Sequence, residues 1–447
     1  MKSRLNLSVI IFSLMGLHVT AQEKRPITLS EAIDLGIKNS KQLKNSQAKI
    51  EEATAALKEA LNNQLPDAKL SGSYLWLSSA NVDMKLKGNS GSGGGSNGGG
   101  SVPQVSKAGY AIANASLPVF AGGRIRYGIE ASRFLAEATR LDADNDKEEV
   151  IQNTIEAFVN LYKAKTSVSL VQENLAEAQQ RVKDFSNLEK NGLLARNDLL
   201  SAQLQASNFE LGLLDAENNW KLANVSMNIL LGLPEKLELV PDSSMVDEKF
   251  SVKTVDEYLQ TAYTNRTDLS ALDLRKKASE SSIKSAKGDY YPSLAVTGGY
   301  IAADIPEVIS ITNALNIGVG VSYNIGSLWK TKAKVQQAEA RAKQAEIGES
   351  QLNDNIRLDV NHAYLNFLSS QKKIEVYEKA VEQAVENYRI VKNKYDNSLE
   401  TTTDLLDANT KQLLERMNFI FAKADAVVAY NKLLQAAGLL AENTKQQ

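Results

Sequence analysis

The same pattern occurs twice in this chain, and that repeat limits the fold more than any local propensity does. Residues 28–74 align without a gap on 254–300: Thr28 meets Thr254, Glu31 meets Glu257, Asn39 meets Asn265 and Leu43 meets Leu269. Pro66 then meets Pro292, Gly72 meets Gly298 and Tyr74 meets Tyr300. A second block aligns 117–233 on 323–439, where Ala157 meets Ala363, Asp198-Leu199-Leu200 meets Asp404-Leu405-Leu406 and Gly232-Leu233 meets Gly438-Leu439. The first half is longer, and its extra residues fall in the loop near 86–103. An internal repeat predicts a pseudo-symmetric molecule. Each half, 22–233 and 254–447, is expected to supply the same elements, with 234–253 as a linker.

The N-terminus predicts a secretory signal over 1–21. Lys2 and Arg4 precede a short apolar run, Leu5 to Leu17, and Val19-Thr20-Ala21 offers small residues for cleavage before Gln22. Residue 22 is not cysteine, so no N-terminal lipid anchor is expected. The chain has no cysteine, and its two histidines are His18 and His362. Disulfides, thiolate metal sites, histidine triads and multi-histidine metal sites are therefore excluded. A net charge of −2 argues against a nucleic-acid binder. No nucleophile elbow, phosphate loop or pocket-forming α/β pattern is present, so the reading is not an enzyme, and no catalytic residue, metal or cofactor is expected. After residue 22 no apolar stretch is long enough to span a bilayer. Membrane residence would then require a closed β-barrel, the other structure that satisfies every backbone group in lipid.

Residues 28–64 and 254–290 read as helices stopped by Pro66 and Pro292. Period-two alternation places strands at about 68–77, 108–120, 293–301 and 315–325. In the last, Leu315, Ile317, Val319, Val321, Tyr323 and Ile325 point one way, and Asn316, Gly318, Gly320, Ser322 and Asn324 the other. The strands form two hairpins, one closed by the low-complexity loop Gly88 to Ser101 and one by Ala303 to Ala314. Tyr74, Trp76, Tyr110, Tyr300 and Tyr323 would suit interfacial aromatic girdles. A half-buried soluble sheet carries the same alternation, but the signal favours a transmembrane barrel.

The remainder is long helix. From about 125 to 190 and from 331 to 395 no proline interrupts the pattern. Val168, Val171, Leu175, Ala178, Val182 and Phe185 step as a heptad seam, as do Ile374, Tyr377, Val381, Ala384, Tyr388, Val391 and Tyr395. Each rod ends in a break, Asn191-Gly192-Leu193 or Asn397-Ser398-Leu399, and a return helix follows. The return seams read Leu200, Leu204, Leu211, Leu214 and Leu406, Leu413, Met417, Ile420, Val427, with Gly232 and Gly438 as C-caps. A secreted, pore-less coiled-coil scaffold would explain the seams but not the hairpins. Four strands cannot close a barrel, so the chain is expected to oligomerise in a ring. Two copies fill the interior with side chains, and three leave a lumen.

With its duplicated layout and the paired motifs Asn191-Gly192-Leu193…Asp198-Leu199-Leu200 and Asn397-Ser398-Leu399…Asp404-Leu405-Leu406-Asp407-Ala408, the chain resembles the TolC-like outer-membrane efflux proteins of Gram-negative bacteria. The resemblance covers essentially the whole mature sequence. It implies an α plus transmembrane β-barrel fold: a homotrimer with a twelve-stranded barrel in outer-membrane lipid above a long periplasmic α-helical barrel. It also implies a passive exit duct that joins a periplasmic adaptor (membrane fusion) protein and, through it, an inner-membrane RND, ABC or MFS pump. The alternative within the family is the exit duct of type I protein secretion. By the same resemblance Asn191, Gly192, Leu193, Asn397, Ser398 and Leu399 are adaptor-contact tips. Asp404, Asp407 and Tyr395 belong to the periplasmic aperture. Asp404 and Asp407, three apart, share a helix face, and three chains would set six carboxylates around one constriction, where crowding raises pKa values. Asp404 is equally suited to cap its helix, as is Asp198 in the first half. Two departures stand out: Ser398 replaces the family's usual glycine, and Glu400 stands where members often carry an aperture-locking arginine, a role Arg196 is a candidate to fill.

Overall fold

The computed structural model describes residues 24–81, 104–247, 250–306 and 309–443. The signal reading and the Gly88 to Ser101 loop fall outside them. The chain runs β1 (Lys24–Ile27), α1 (Leu29–Asn39), α2 (Lys41–Asn62), β2 (Asp67–Asn81), β3 (Gln104–Ala121), α3 (Arg124–Lys190) and α4 (Arg196–Leu231). After β4 (Glu238–Pro241) the order recurs as α5 (Val255–Asn265), α6 (Thr267–Lys287), β5 (Ser293–Ile305), β6 (Ile309–Ser322), α7 (Ser327–Asp396), α8 (Thr402–Ala436) and the short α9 (Leu440–Asn443).

Each helix expected to start a half is broken in two. Ser40 has extended backbone (ψ 123°), and its Oγ accepts from Leu43 N at 3.2 Å, so it ends α1 and caps α2. Arg266 (ψ 121°) makes the matching break between α5 and α6. The repeat extends to the capping chemistry. Thr28 Oγ1 accepts from Glu31 N at 3.2 Å, and Thr254 Oγ1 from Glu257 N at 3.3 Å, with the Glu257 carboxylate returning to Thr254 N at 2.8 Å.

The chain forms two compact units, and each draws on both repeats. One comprises 45–145 and 266–355. Its sheet has the order β2-β3-β5-β6, antiparallel throughout, with β2 and β6 as open edges. Register sorts the side chains. Leu70 pairs with Ala113, Tyr74 with Gly109, Val296 with Val319 and Tyr300 with Leu315, which builds one apolar face. Ser71 pairs with Ile112 and Ser73 with Tyr110, so Tyr110 and Ile112 lie on the opposite face among serines. Tyr110 therefore does not join Tyr74 and Trp76 in one girdle. Strand β6 also begins earlier than its clean alternation suggests and ends at Ser322, leaving Tyr323 and Ile325 beyond it. At the strand-to-helix turn Gly122 has φ +61°, and a Cβ there would sit 2.2 Å from Gly288 O, so no other residue fits. Beside it Asp289 accepts from Arg124 at 3.1 Å and from Lys334 at 2.8 Å, tying the starts of α3 and α7 together.

The second unit comprises the described parts of 1–44, 146–265 and 356–447. Phe158, Phe367, Ile151, Ile155, Leu231 and Leu433 are fully buried in it. Here β1 lies parallel to β4, and Asn224 accepts from Leu239 N and donates to Leu237 O, both at 2.8 Å, which fixes the linker strand to α4.

Candidate functional site

The two rod-to-return turns are built alike. At the end of α3, Gly192 N donates to Glu189 O and Leu193 N to Leu188 O, both at 2.9 Å. At the end of α7, Ser398 N donates to Tyr395 O at 2.9 Å and Leu399 N to Lys394 O at 2.8 Å. These paired bonds close each helix through a left-handed residue. Gly192 has φ +70° and Ser398 φ +62°, so serine holds a conformation that favours glycine. The returns end by the same device at Gly232-Leu233 and Gly438-Leu439, with Gly438 one residue beyond the assigned cap, Ala437. Leu233 and Leu439 are half-buried, whereas Leu193 and Leu399 are each 74% exposed. The turns thus present apolar tips that no other described residue covers.

Since a Cβ at Gly192 meets nothing within 4 Å, only backbone strain separates Gly192 from Ser398. Ser398→Gly is expected to steady its turn by up to about 1 kcal/mol, and Gly192→Ser to loosen its own by about as much. Hydrogen exchange at the Leu193 and Leu399 amides reads this directly; equal exchange in parent and variants would refute it.

Charge also braces each turn on itself. Arg196 pairs with Glu189 at 3.5 Å, and Lys394 with Glu400 at 2.9 Å. Arg196 stays on its own turn rather than crossing to the other, and Glu400 does the same. Thr401 caps α8: its Oγ1 accepts from Asp404 N at 3.2 Å while the Asp404 carboxylate accepts from the Thr401 hydroxyl at 2.5 Å. Within a single chain the Thr401 side chain and then its backbone hold the Asp404 carboxyl below the usual carboxylate range. Asp404 is thus a capping residue that also stands exposed. Asp407 is exposed on the same side, while Leu405, Leu406 and Ala408 turn inward. At the first turn Ala195 occupies the N-cap without a side-chain bond, and Asp198 lies in the first turn of α4.

Tyr395 is half-buried, whereas the two carboxylates are exposed. It stacks on Phe185 with ring centroids 5.8 Å apart, against a core of Leu199, Ala202 and Leu405, which joins the two turns. Burial raises its phenol pKa against the opposing hydrogen bond from Thr402.

The polar centre behind the turns is Arg181, which the sequence reading missed. From α3 it donates to Gln205 Oε1 of α4 at 3.2 Å, to Asn409 Oδ1 of α8 at 3.4 Å and to Tyr388 Oη of α7 at 3.0 Å. Gln205 Nε2 completes the bridge to α8 at Leu406 O, 3.0 Å, and Thr410 Oγ1, 3.1 Å. Beside it lies a cavity of about 510 Å³ edged by Asp184, Lys392, Asp396 and Arg416. The sole sequence signal was an arginine next to seam residue Val182.

The returns differ in what covers them. On α8, Leu406 and Leu413 are buried, and Met417 and Ile420 pack on Leu170, Leu175, Ala178 and Phe209. On α4 the residues facing inward are Leu199, Ala202, Phe209, Ala216 and Ala223. Leu200, Leu204, Leu211 and Leu214, expected as its seam, are at least half exposed. They form an apolar stripe with no cover among the described residues.

Known proteins share this fold. Along the sequence, the chain is 22% identical over 323 residues to the outer membrane efflux protein BepC of Brucella suis, covering 72% of this chain and 70% of that protein. It is also 22% identical over 331 residues to the alkaline protease secretion protein AprF of Pseudomonas aeruginosa, covering 71% and 66%. The solved structure of the outer membrane protein VceC of Vibrio cholerae superposes with a TM-score of 0.74 at 18% identity over 92% of this chain and 96% of that one. The family model described as outer membrane efflux protein matches residues 32–233 and 258–439, and the chain belongs to that family.

Proposed function

We propose that three copies of this chain form a passive exit duct of a tripartite efflux pump, with the sheets closed into one twelve-stranded outer-membrane barrel and the helices forming a periplasmic tube. The observation that carries this is the mismatch between repeat-related faces. By the internal alignment, Leu200, Leu211 and Leu214 of α4 correspond to Leu406, Met417 and Ile420 of α8. The α8 set is covered by α3 and α4, whereas the α4 set is bare. The surface matching the α3 docking site is less covered than its counterpart: Val376 of α7, counterpart of buried Leu170, is 53% exposed, and Val381 and Ala384, counterparts of buried Leu175 and Ala178, are half-buried. A face and its complement on one chain make a head-to-tail contact, which generates a ring when its rotation closes. The open edges β2 and β6 demand the same closure in lipid, and the apolar sheet face with Leu70, Tyr74, Val319 and Leu315 suits the lipid side. Three copies rather than two leave a water-filled lumen.

In this reading the duct carries out no chemistry. Leu193 and Leu399, with Asn191, Gly192, Asn397 and Ser398, dock a periplasmic adaptor that brings an inner-membrane pump, and Asp404, Asp407 and Tyr395 belong to the aperture. Similarity to AprF supports protein export as a second cargo class for the same duct. The test combines two measurements. Purified trimers are expected to pass ion current in planar bilayers. Leu193→Asp with Leu399→Asp is expected to keep that current but abolish compound export in cells. A folded trimer without current would reject the duct, and undiminished export by the tip variant would reject the docking role.

A further inference from the structure

We propose that the outer part of the bore carries an apolar collar, set by a bulge at Asn313, on which small molecules with apolar surface bind before they leave. This deepens the duct reading above and rests on it. Register orders the sheet face opposite the lipid side into rows that cross all four strands. Nearest the helices the rows are polar: Asp67, Ser116, Thr297 and Gly318, then Lys69, Asn114, Gly299 and Asn316. The next two change character: Ser71, Ile112, Ile301 and Ala314, then Ser73, Tyr110, Ala303 and Ile311. Ile305 and Ile309 pair beyond them. None of these upper positions carries a charge.

Alternation along β6 would not put Ile309 and Ile311 on this face. Counted back in twos from Leu315, Asn313, Ile311 and Ile309 would all share its lipid-side face. The ladder slips there: Thr312 and Asn313 together oppose Ala302, and Asn313 has φ +59°. Tyr300 holds the bulge, its hydroxyl accepting from Asn313 N and donating to Asn313 Oδ1, both at 3.2 Å. The extra residue turns Ile309 and Ile311 inward and leaves the register pair Asp304 and Ser310 outside. The sheet is therefore apolar outside and polar inside near the helices, and the reverse near its hairpin ends. Tyr110, Ile309 and Ile311 are all exposed on the inner face. Twelve strands about 4.8 Å apart and tilted by about 40° make a wall roughly 24 Å across at the backbone. Such a collar narrows the bore without sealing it, so ions and water still pass. What it discriminates is apolar surface, while the hydroxyls of Ser71, Ser73 and Tyr110 offer partners to a polar end. The cargo it fits is an amphipathic small molecule.

The test uses trimers in planar bilayers and two monovalent anions, which the carboxylates of the periplasmic aperture do not attract. Naphthalenesulfonate added on the side of the hairpin ends should reduce the ion current, and methanesulfonate at the same concentration should not. Ile301→Ser with Ile309→Ser and Ile311→Ser should raise the half-blocking concentration by about fivefold or more, and Ile311→Ser alone should raise it less. Facing is checked separately, because the chain has no native cysteine. A charged, water-soluble thiosulfonate should change the current through trimers carrying Ile309→Cys or Ile311→Cys and leave Ser310→Cys trimers as they were. Equal block by the two anions, parental block in both serine variants, or a current change at Ser310→Cys with none at Ile309→Cys and Ile311→Cys would each overturn the collar. Folded trimers that pass no current in any form would instead overturn the duct.

Discussion

Leu204→Glu with Leu211→Glu is expected to convert the assembled protein to single chains without unfolding them. Both positions lie on α4, 64% and 62% exposed in the isolated chain, so a carboxylate there stays in water and the core of its unit is untouched. In the ring each leucine would lose its surroundings of water, a gain of roughly 1.5–3 kcal/mol per side chain. A glutamate in the same place reverses that gain and adds the cost of burying a charge among apolar neighbours. Every groove between chains carries both changes, so the effect accumulates around the ring. Native mass spectrometry in detergent should give the single-chain mass, and circular dichroism should keep the helical signal. Phe209→Ala, 9% exposed on the opposite side of α4, serves as the contrast: it should weaken the chain itself by about 3–5 kcal/mol. An intact trimer from the double glutamate variant would contradict the whole assembly.

That contrast also marks where reading the sequence stops. Heptad spacing identified Leu200, Leu204, Leu211 and Leu214 as an apolar face, and the structure agrees that they lie together. Spacing does not say which surface covers a face, and here none among the described residues does. The repeat carried more information, because it fixed the order of helix, hairpin, rod and return in both halves. It failed at the breaks. Ser40 and Arg266 interrupt helices where no proline or glycine gives notice, since a serine can end one helix and cap the next through a single hydroxyl. Strand parity was legible in 315–321, where small and branched residues alternate without exception. Between 108 and 116 six of nine residues are Ala, Gly or Ser, so the faces of Tyr110 and Ile112 became clear only from the pairing of Ser73 with Tyr110. Both turns were readable from their motifs and from leucine after each left-handed residue. Arg181 was not, because an arginine flanking a seam usually points to water, and its three acceptors come from segments far away in sequence.

Asp407→Asn is expected to reduce the cation preference of the pore several-fold, read as a shift of the reversal potential in a KCl gradient, with no change in trimer stability. Asp407 is exposed and takes no part in the α8 cap, so its charge is separable from the fold. Asp404 serves both purposes, and two substitutions divide them. Asp404→Asn removes the charge but leaves a side-chain oxygen to accept from Thr401, so it should lower selectivity and disturb the turn little. Thr401→Val removes the hydroxyl that accepts from Asp404 N and donates to its carboxylate, so it should loosen the turn by about 1 kcal/mol and leave selectivity almost intact. The pH response follows from the sign of the Asp404 shift. Its folded pKa is depressed, so the stability it contributes is complete above the unfolded value near 3.9 and disappears only as pH falls through the lower, folded value. The Asp404 charge is then constant from about pH 5 to 8, and the selectivity remaining in Asp407→Asn, which isolates it, should be flat over that range. A reversal potential that Asp407→Asn leaves unmoved would remove Asp407 from the aperture. A residual selectivity that fades as pH drops from 7 to 5 would show that crowding in the ring overrides the hydrogen bonds from Thr401.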